Sequence, residues 1–215
     1  MSSLFDGFIF DVDGTITSTN QLIFDSFNFI AEKYLNKTFT DKEIIAMFGP
    51  TENVILKQLC SEKFEEVKVE YYRYYSENHW KAKLYPGIKE ILDYLKNKKF
   101  PLGIFTGKGR EATTITLKTL EVNHYFDLIV TGDDVANHKP SSEGILKFVN
   151  HFGLKKERVL MIGDSVSDVK ASKEAGIKVA SALWDSYAHE KVKTLKSDYY
   201  FNSVEELKMF LFTDI

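Results

Sequence analysis

The stretch Phe8-Ile9-Phe10-Asp11-Val12-Asp13-Gly14-Thr15 places three apolar residues directly before two aspartates and a glycine. The apolar run is too short for a helix and ends in turn-forming residues, so it reads as a buried strand entering a polar loop. Working outward, similar runs occur at Leu102–Phe105, Leu128–Val130, Val159–Ile162 and Val179–Ala180, with Tyr199–Phe201 as a late edge strand. Helical periodicity falls between them, near residues 88–98, 110–120, 142–151, 167–175 and 203–211. Strands alternating with amphipathic helices predict an α/β fold, a Rossmann-like parallel sheet wrapped by helices. Ligands of such sheets bind beyond the carboxyl ends of the strands, which is where Asp11 and Asp13 stand.

One crossover is far too long. Almost ninety residues separate Asp13 from Leu102, and they carry helical patterns at Gln21–Tyr34, Asp41–Met47, Val54–Leu59 and Phe64–Trp80. A crossover between parallel strands needs one helix, so the excess predicts an inserted α-helical domain. We place it at residues 17–82, with the α/β core built from 1–16 and 83–215. The expected hinges are Thr15–Thr19 and Lys83–Gly87, where Pro86-Gly87 marks a turn.

Composition sets limits. The chain of 215 residues has 28 basic and 31 acidic side chains, a formal charge of −3, so no global field draws it to nucleic acid or an anionic membrane. Cys60 is the single cysteine, which rules out an intrachain disulfide and zinc sites built on thiolate pairs. No apolar run approaches the roughly 20 residues of a membrane helix. Met1–Asp6 lacks the basic and apolar regions of a signal peptide. A cytoplasmic setting is expected. The run Tyr71-Tyr72-Arg73-Tyr74-Tyr75 could suggest base stacking. With Tyr71, Tyr74, Tyr75 and Asn78 on one helix face, packing inside the helical insert is the simpler expectation.

Four loops carry candidate chemistry. Asp11 and Asp13 are costly neighbours unless a cation joins them, and magnesium takes oxygen ligands of this kind. Read alone, Asp13-Gly14 would equally suit a turn. The second loop, Thr106-Gly107-Lys108-Gly109-Arg110, offers a hydroxyl and backbone amides at a helix start, a site suited to a phosphoryl group. The third, His138-Lys139-Pro140-Ser141, offers one cation ahead of a helix. The fourth, Gly163-Asp164-Ser165-Val166-Ser167-Asp168, places a second acidic pair after another strand, four residues apart on one expected helix face.

Taken in order, these loops resemble the four motifs of the haloacid dehalogenase-like hydrolase superfamily. Asp11-Val12-Asp13-Gly14-Thr15 matches the first, Thr106 the second, Lys139 the third, and Gly163-Asp164 through Asp168 the fourth. The chain is similar to the phosphoglycolate phosphatase-like branch, whose helical cap is inserted after the first motif. The resemblance implies that Asp11 is a nucleophile forming an aspartyl-phosphate and Asp13 the general acid and base. Mg2+ would be held by Asp11, the Asp13 backbone carbonyl and Asp164, with Asp168 orienting metal-bound water or Lys139. Thr106, the Gly107 amide and Lys139 would bind the transferring phosphoryl group. An acid at position 13 favours phosphoryl transfer over carbon–halogen cleavage.

From the cap, Thr51 and Glu52 in the Phe48–Glu52 loop would face the substrate. Lys108 is counted with the substrate-binding residues, although for Lys108 and Arg110 alike surface charge is the plainer reading. The implied substrate is a small soluble phosphate monoester resembling phosphoglycolate. A sugar phosphomutase, an inorganic pyrophosphatase and a non-catalytic binding protein on the same fold are the alternatives.

Overall fold

A computed structural model describes residues 3–185 and 189–214 of the chain. Strand β1 (Gly7–Phe10) is followed by the short β2 (Thr17–Ser18) and four helices: α1 (Asn20–Leu35), α2 (Asp41–Met47), α3 (Glu52–Leu59) and α4 (Phe64–Glu77). Strand β3 (Lys83–Leu84) then leads into α5 (Ile88–Asn97), β4 (Leu102–Phe105), α6 (Arg110–Thr119) and β5 (Leu128–Val130). The chain continues through α7 (Glu143–Phe152), β6 (Val159–Gly163), α8 (Val166–Ala175) and β7 (Lys178–Ala182). It closes with α9 (His189–Thr194), β8 (Tyr199–Phe201) and α10 (Val204–Asp214).

Six strands form one parallel sheet in the order β5-β4-β1-β6-β7-β8. Strand β1 lies between β4 and β6, so its carboxyl end emerges at the centre of the sheet. All four of its residues are buried, because both sheet faces are covered. Phe8 and Phe10 pack with Ile91, Leu92 and Leu95 of α5 and with Leu207 and Leu211 of α10. Ile9 points the other way, into a cluster with Ile145 and Phe148 of α7 and Ala171 of α8. The alternation follows from the two-residue period of a strand.

Helices α1 to α4 surround a separate apolar cluster that includes Leu22, Phe24, Phe27, Ile44, Leu56, Val67, Tyr71 and Tyr75. The chain leaves and re-enters the α/β layer through β2 and β3, which pair antiparallel with Thr17 opposite Leu84. On its inner side this cluster takes in Ala112 of α6, so the helical unit is seated directly on the second motif's helix. Across that contact the Tyr75 hydroxyl is 2.8 Å from Thr116 Oγ1, and His79 Nε2 lies 3.1 Å from the same oxygen.

The structure differs from the sequence reading in several places. Strand β7 spans Lys178–Ala182 rather than Val179–Ala180 alone, and α9 has no counterpart in the periodicity. Tyr71 and Tyr75 face the helical core as expected, but so does Tyr72, while Tyr74 is half-buried and stacks on Phe29. Cys60 is partly buried against the same cluster. Among the described residues no helix is long and apolar enough to cross a membrane.

Candidate active site

The loop after β1 is shaped by its own backbone. The Val12 carbonyl accepts from the amides of Thr15, Ile16 and Thr17, closing a tight turn. Gly14 occupies it at φ +76°, in the left-handed region that glycine adopts without strain. Asp11 is buried at the base of this turn, and its Oδ1 accepts from the Val12 amide at 2.7 Å. Asp13 is held at both oxygens: the Thr19 hydroxyl donates to Oδ1, and the Lys108 ammonium lies 3.3 Å from Oδ2.

The third and fourth loops meet the first across the sheet. Lys139 Nζ lies 3.3 Å from Asp11 Oδ1 and 2.5 Å from Asp168 Oδ1, and 4.7 Å from the Phe105 ring centre. Burial alone would lower the Lys139 pKa; the Asp11 and Asp168 carboxylates outweigh it and keep the ammonium charged. Helix α8 begins later than the acidic spacing suggested. Ser165 is its N-cap and forms a reciprocal capping box with Asp168, so Asp164 precedes the helix and does not share its face. Asp168 Oδ2 accepts from the Ser165 amide at 3.0 Å and hydroxyl at 2.6 Å. Thr15 Oγ1 donates to Asp164 Oδ1 at 3.3 Å.

Carboxylate oxygens of Asp11, Asp164 and Asp168 lie within 4.8 Å of one another. Burial pushes the Asp11 carboxyl up to about 7; Lys139 pulls it down, and the charges of Asp168 and Asp13 add to the rise. Burial also raises Asp164, reinforced by repulsion from Asp11 and Asp168. A largely buried set of oxygen donors, with Asp164 half-buried and more negative than positive charge, fits a hard divalent cation.

In the second loop, Thr106 is buried and its hydroxyl accepts from the Lys108 amide at 3.3 Å. Lys108 corrects the plainer expectation of a surface charge. Its side chain is 1% exposed, pointing inward between Asp13 and Glu52, whose Oε1 is 3.6 Å away. Arg110 does lie at the surface, paired with Asp134. From the helical unit, Thr51 is the N-cap residue of α3, with no hydrogen bond from its side chain to the helix. Its buried hydroxyl has no hydrogen-bond partner. Glu52 is buried and accepts from the Gly109 amide at 2.6 Å. Thr15 enters the sequence reading only as the end of the first motif and Thr19 only as a hinge position, neither with a role toward the acidic residues. Their hydroxyls are ordinary in composition and gain meaning only from the turn that brings them to Asp13 and Asp164.

Residues 8–182 match the family described as haloacid dehalogenase-like hydrolase, and the chain belongs to that family. It is an enzyme, a hydrolase of the phosphatase kind. It is 34% identical over 200 residues to the pyrophosphatase PpaX of Halalkalibacterium halodurans, covering 93% of each chain. The crystal structure of a predicted phosphoglycolate phosphatase from Haemophilus somnus superposes with a TM-score of 0.85, at 23% identity, over 97% of this chain and 99% of that one. CbbY from Rhodobacter sphaeroides, solved with phosphate, gives a TM-score of 0.81 at 18% identity, over 94% and 96%. At these identities the two structures speak for the fold.

Proposed function

We propose that the protein is a magnesium-dependent phosphatase that hydrolyses a small soluble phosphate monoester, phosphoglycolate-like in size, through an aspartyl-phosphate on Asp11. The observation that carries this reading is the bridge made by Lys139 between Asp11 at 3.3 Å and Asp168 at 2.5 Å, within the acidic cluster that includes Asp164. Segments distant in the chain converge there on one point.

Asp11 and Asp164, with the Asp13 backbone carbonyl, would hold the ion. Both oxygens of Asp168 already have donors, which suits a supporting role toward Lys139. The bound ion would neutralise charge between the carboxylates and the incoming phosphate.

Asp11 attacks phosphorus; the Asp11 oxygen–phosphorus bond forms as the ester oxygen leaves. Asp13 gives its proton to that leaving oxygen. It then takes one from the water that attacks the acyl-phosphate, releasing inorganic phosphate and restoring Asp11. Thr106, the Gly107 amide and Lys139 stabilise the transferring oxygens. Thr51, Glu52 and Lys108 line the side on which the leaving group departs. The helical unit, residues 17–82, acts as a cap over the core of 1–16 and 83–215, excluding bulk water.

Pyrophosphate is a second reading, favoured by the likeness to PpaX across nearly the whole chain. A cytoplasmic setting suits the soluble substrate and the single cysteine. Phosphate release from 4-nitrophenyl phosphate, phosphoglycolate and pyrophosphate, with Mg2+ and with chelator, tests the proposal. Activity that survives chelation, or wild-type turnover by Asp11→Asn, would sink it.

A further inference from the structure

Lys108 is the least expected charge in the molecule. Its ammonium is buried against Asp13 Oδ2 at 3.3 Å and Glu52 Oε1 at 3.6 Å, with the Tyr75 ring centre 5.0 Å away. Burying a lysine costs free energy unless partners replace its water. Here desolvation acts to strip the proton, and Asp13, Tyr75 and Glu52 together more than offset it. Each partner belongs to a different part of the fold: Asp13 to the first motif, Glu52 to the start of α3, and Tyr75 to α4.

Two carboxylates around one ammonium leave this cluster no positive charge to offer an anionic substrate. The partner that gains from Lys108 is Asp13. Thr19 donates to one oxygen of Asp13 and Lys108 to the other. Two donors on opposite oxygens fix the plane of the carboxyl group, while each oxygen keeps a lone pair for the proton that moves. Glu52 in turn is anchored by the Gly109 amide at 2.6 Å, next to Lys108 in the chain.

We propose that Lys108 is a positioning residue for Asp13, and that Glu52 is the cap residue that fixes Lys108. The acid is then aligned with the leaving group only while α3 sits on the 107–109 turn. This rests on the phosphatase reading, with Asp13 as acid, and it moves Lys108 and Glu52 from substrate binding to support of proton transfer. Cap seating and acid alignment become one event.

The test compares an alkyl phosphate, whose leaving oxygen needs a proton, with 4-nitrophenyl phosphate, whose leaving group does not. Wild type, Asp13→Asn, Lys108→Met, Lys108→Arg and Glu52→Gln are measured on both esters for kcat and KM, with melting curves to verify folding. General acid help is worth about 10²–10⁴-fold, so Lys108→Met should lose about tenfold or more extra kcat on the alkyl ester, with KM shifting little. Lys108→Arg should recover part of that selectivity, and Glu52→Gln should show the same bias to a smaller degree. Equal losses on both esters, or a loss carried by KM, would overturn the inference. If Lys108→Met does not fold, Glu52→Gln decides, because it keeps the ammonium; an unbiased response there overturns it. An unbiased response from Asp13→Asn would instead overturn the acid assignment beneath it.

Discussion

The carboxylate of Asp164 fills the space that a side chain at Gly14 would need: a Cβ there would stand 2.5 Å from Asp164 Oδ2. The first and fourth motifs are thus fitted to each other through a missing atom. Gly14→Ala must both strain a backbone at φ +76° and push Asp164 aside. We expect a stability loss of about 1–3 kcal/mol. The Mg2+ concentration for half-maximal activity should rise by about tenfold, equivalent to ~1.4 kcal/mol of lost binding. Melting curves and a magnesium titration check this; wild-type metal affinity in a folded Gly14→Ala would show that Asp164 is not a ligand.

Asp11 makes the metal-free protein pH-sensitive. Its folded pKa is raised from 3.8 to about 7, chiefly by burial, so its share of stability is present below 3.8 and is lost as pH rises through about 7. A cation that binds only the ionised, folded site reverses that loss. The gain in melting temperature on adding Mg2+ should therefore be larger at pH 8 than at pH 5.5. Asp11→Asn should end phosphate release yet melt higher than wild type at pH 8 in chelator. A flat magnesium response across this range would contradict the account.

The α/β frame and the first, second and fourth motifs are legible because each directly follows a short apolar run, and strands in a parallel sheet deliver their loops to one edge. Asp11, Thr106 and Asp164 each directly follow a strand, whereas Lys139 sits in the long loop between β5 and α7. Lys108 is different. Its burial is made by Glu52 and Tyr75 from the helical unit, and nothing local distinguishes it from the exposed Arg110 two residues on. The start of α8 carries a readable signal, Ser165-x-x-Asp168, which marks a capping box and sets Asp164 before the helix. Thr19 acts on Asp13 only because β2 turns back beside the first motif.

Lys139 and Lys108 should fail in different ways. Lys139 is the ammonium beside Asp168, whose side chain is 0% exposed, and beside Asp11, the proposed nucleophile. Lys139→Ala leaves buried carboxylates unpaired, at a cost of about 3–5 kcal/mol. On the proposed mechanism its charge also serves the phosphoryl oxygens of every substrate, so kcat should fall on good and poor leaving groups alike. Urea denaturation and the two-ester comparison check both halves. A leaving-group bias in Lys139→Ala would place it with Asp13 instead.

The contact between α3 and the α/β layer offers a way to disturb the proposed cap without touching the acidic cluster. Gly132 follows β5, and a Cβ built on it would lie 2.5 Å from Thr51 Cγ2 and 2.6 Å from the Gly107 carbonyl oxygen. Atoms of the α/β layer and of α3 meet there with no room for a methyl group, and Gly132 donates its amide to the Lys108 carbonyl at 3.0 Å. Gly132→Ala must lift Thr51 or shift the 107–109 turn, because overpacking of this kind costs about 1–3 kcal/mol. Lifting the cap is the softer response, since Thr51 begins a helix while Gly107 follows a buried central strand. The expected outcome is weaker substrate binding and slower turnover, each by about tenfold, equivalent to ~1.4 kcal/mol, with magnesium affinity close to wild type. Thr51→Ser, which removes the opposing methyl group, should restore much of the loss in the double variant. Independent, additive effects of the two substitutions would show that the clash does not govern cap seating.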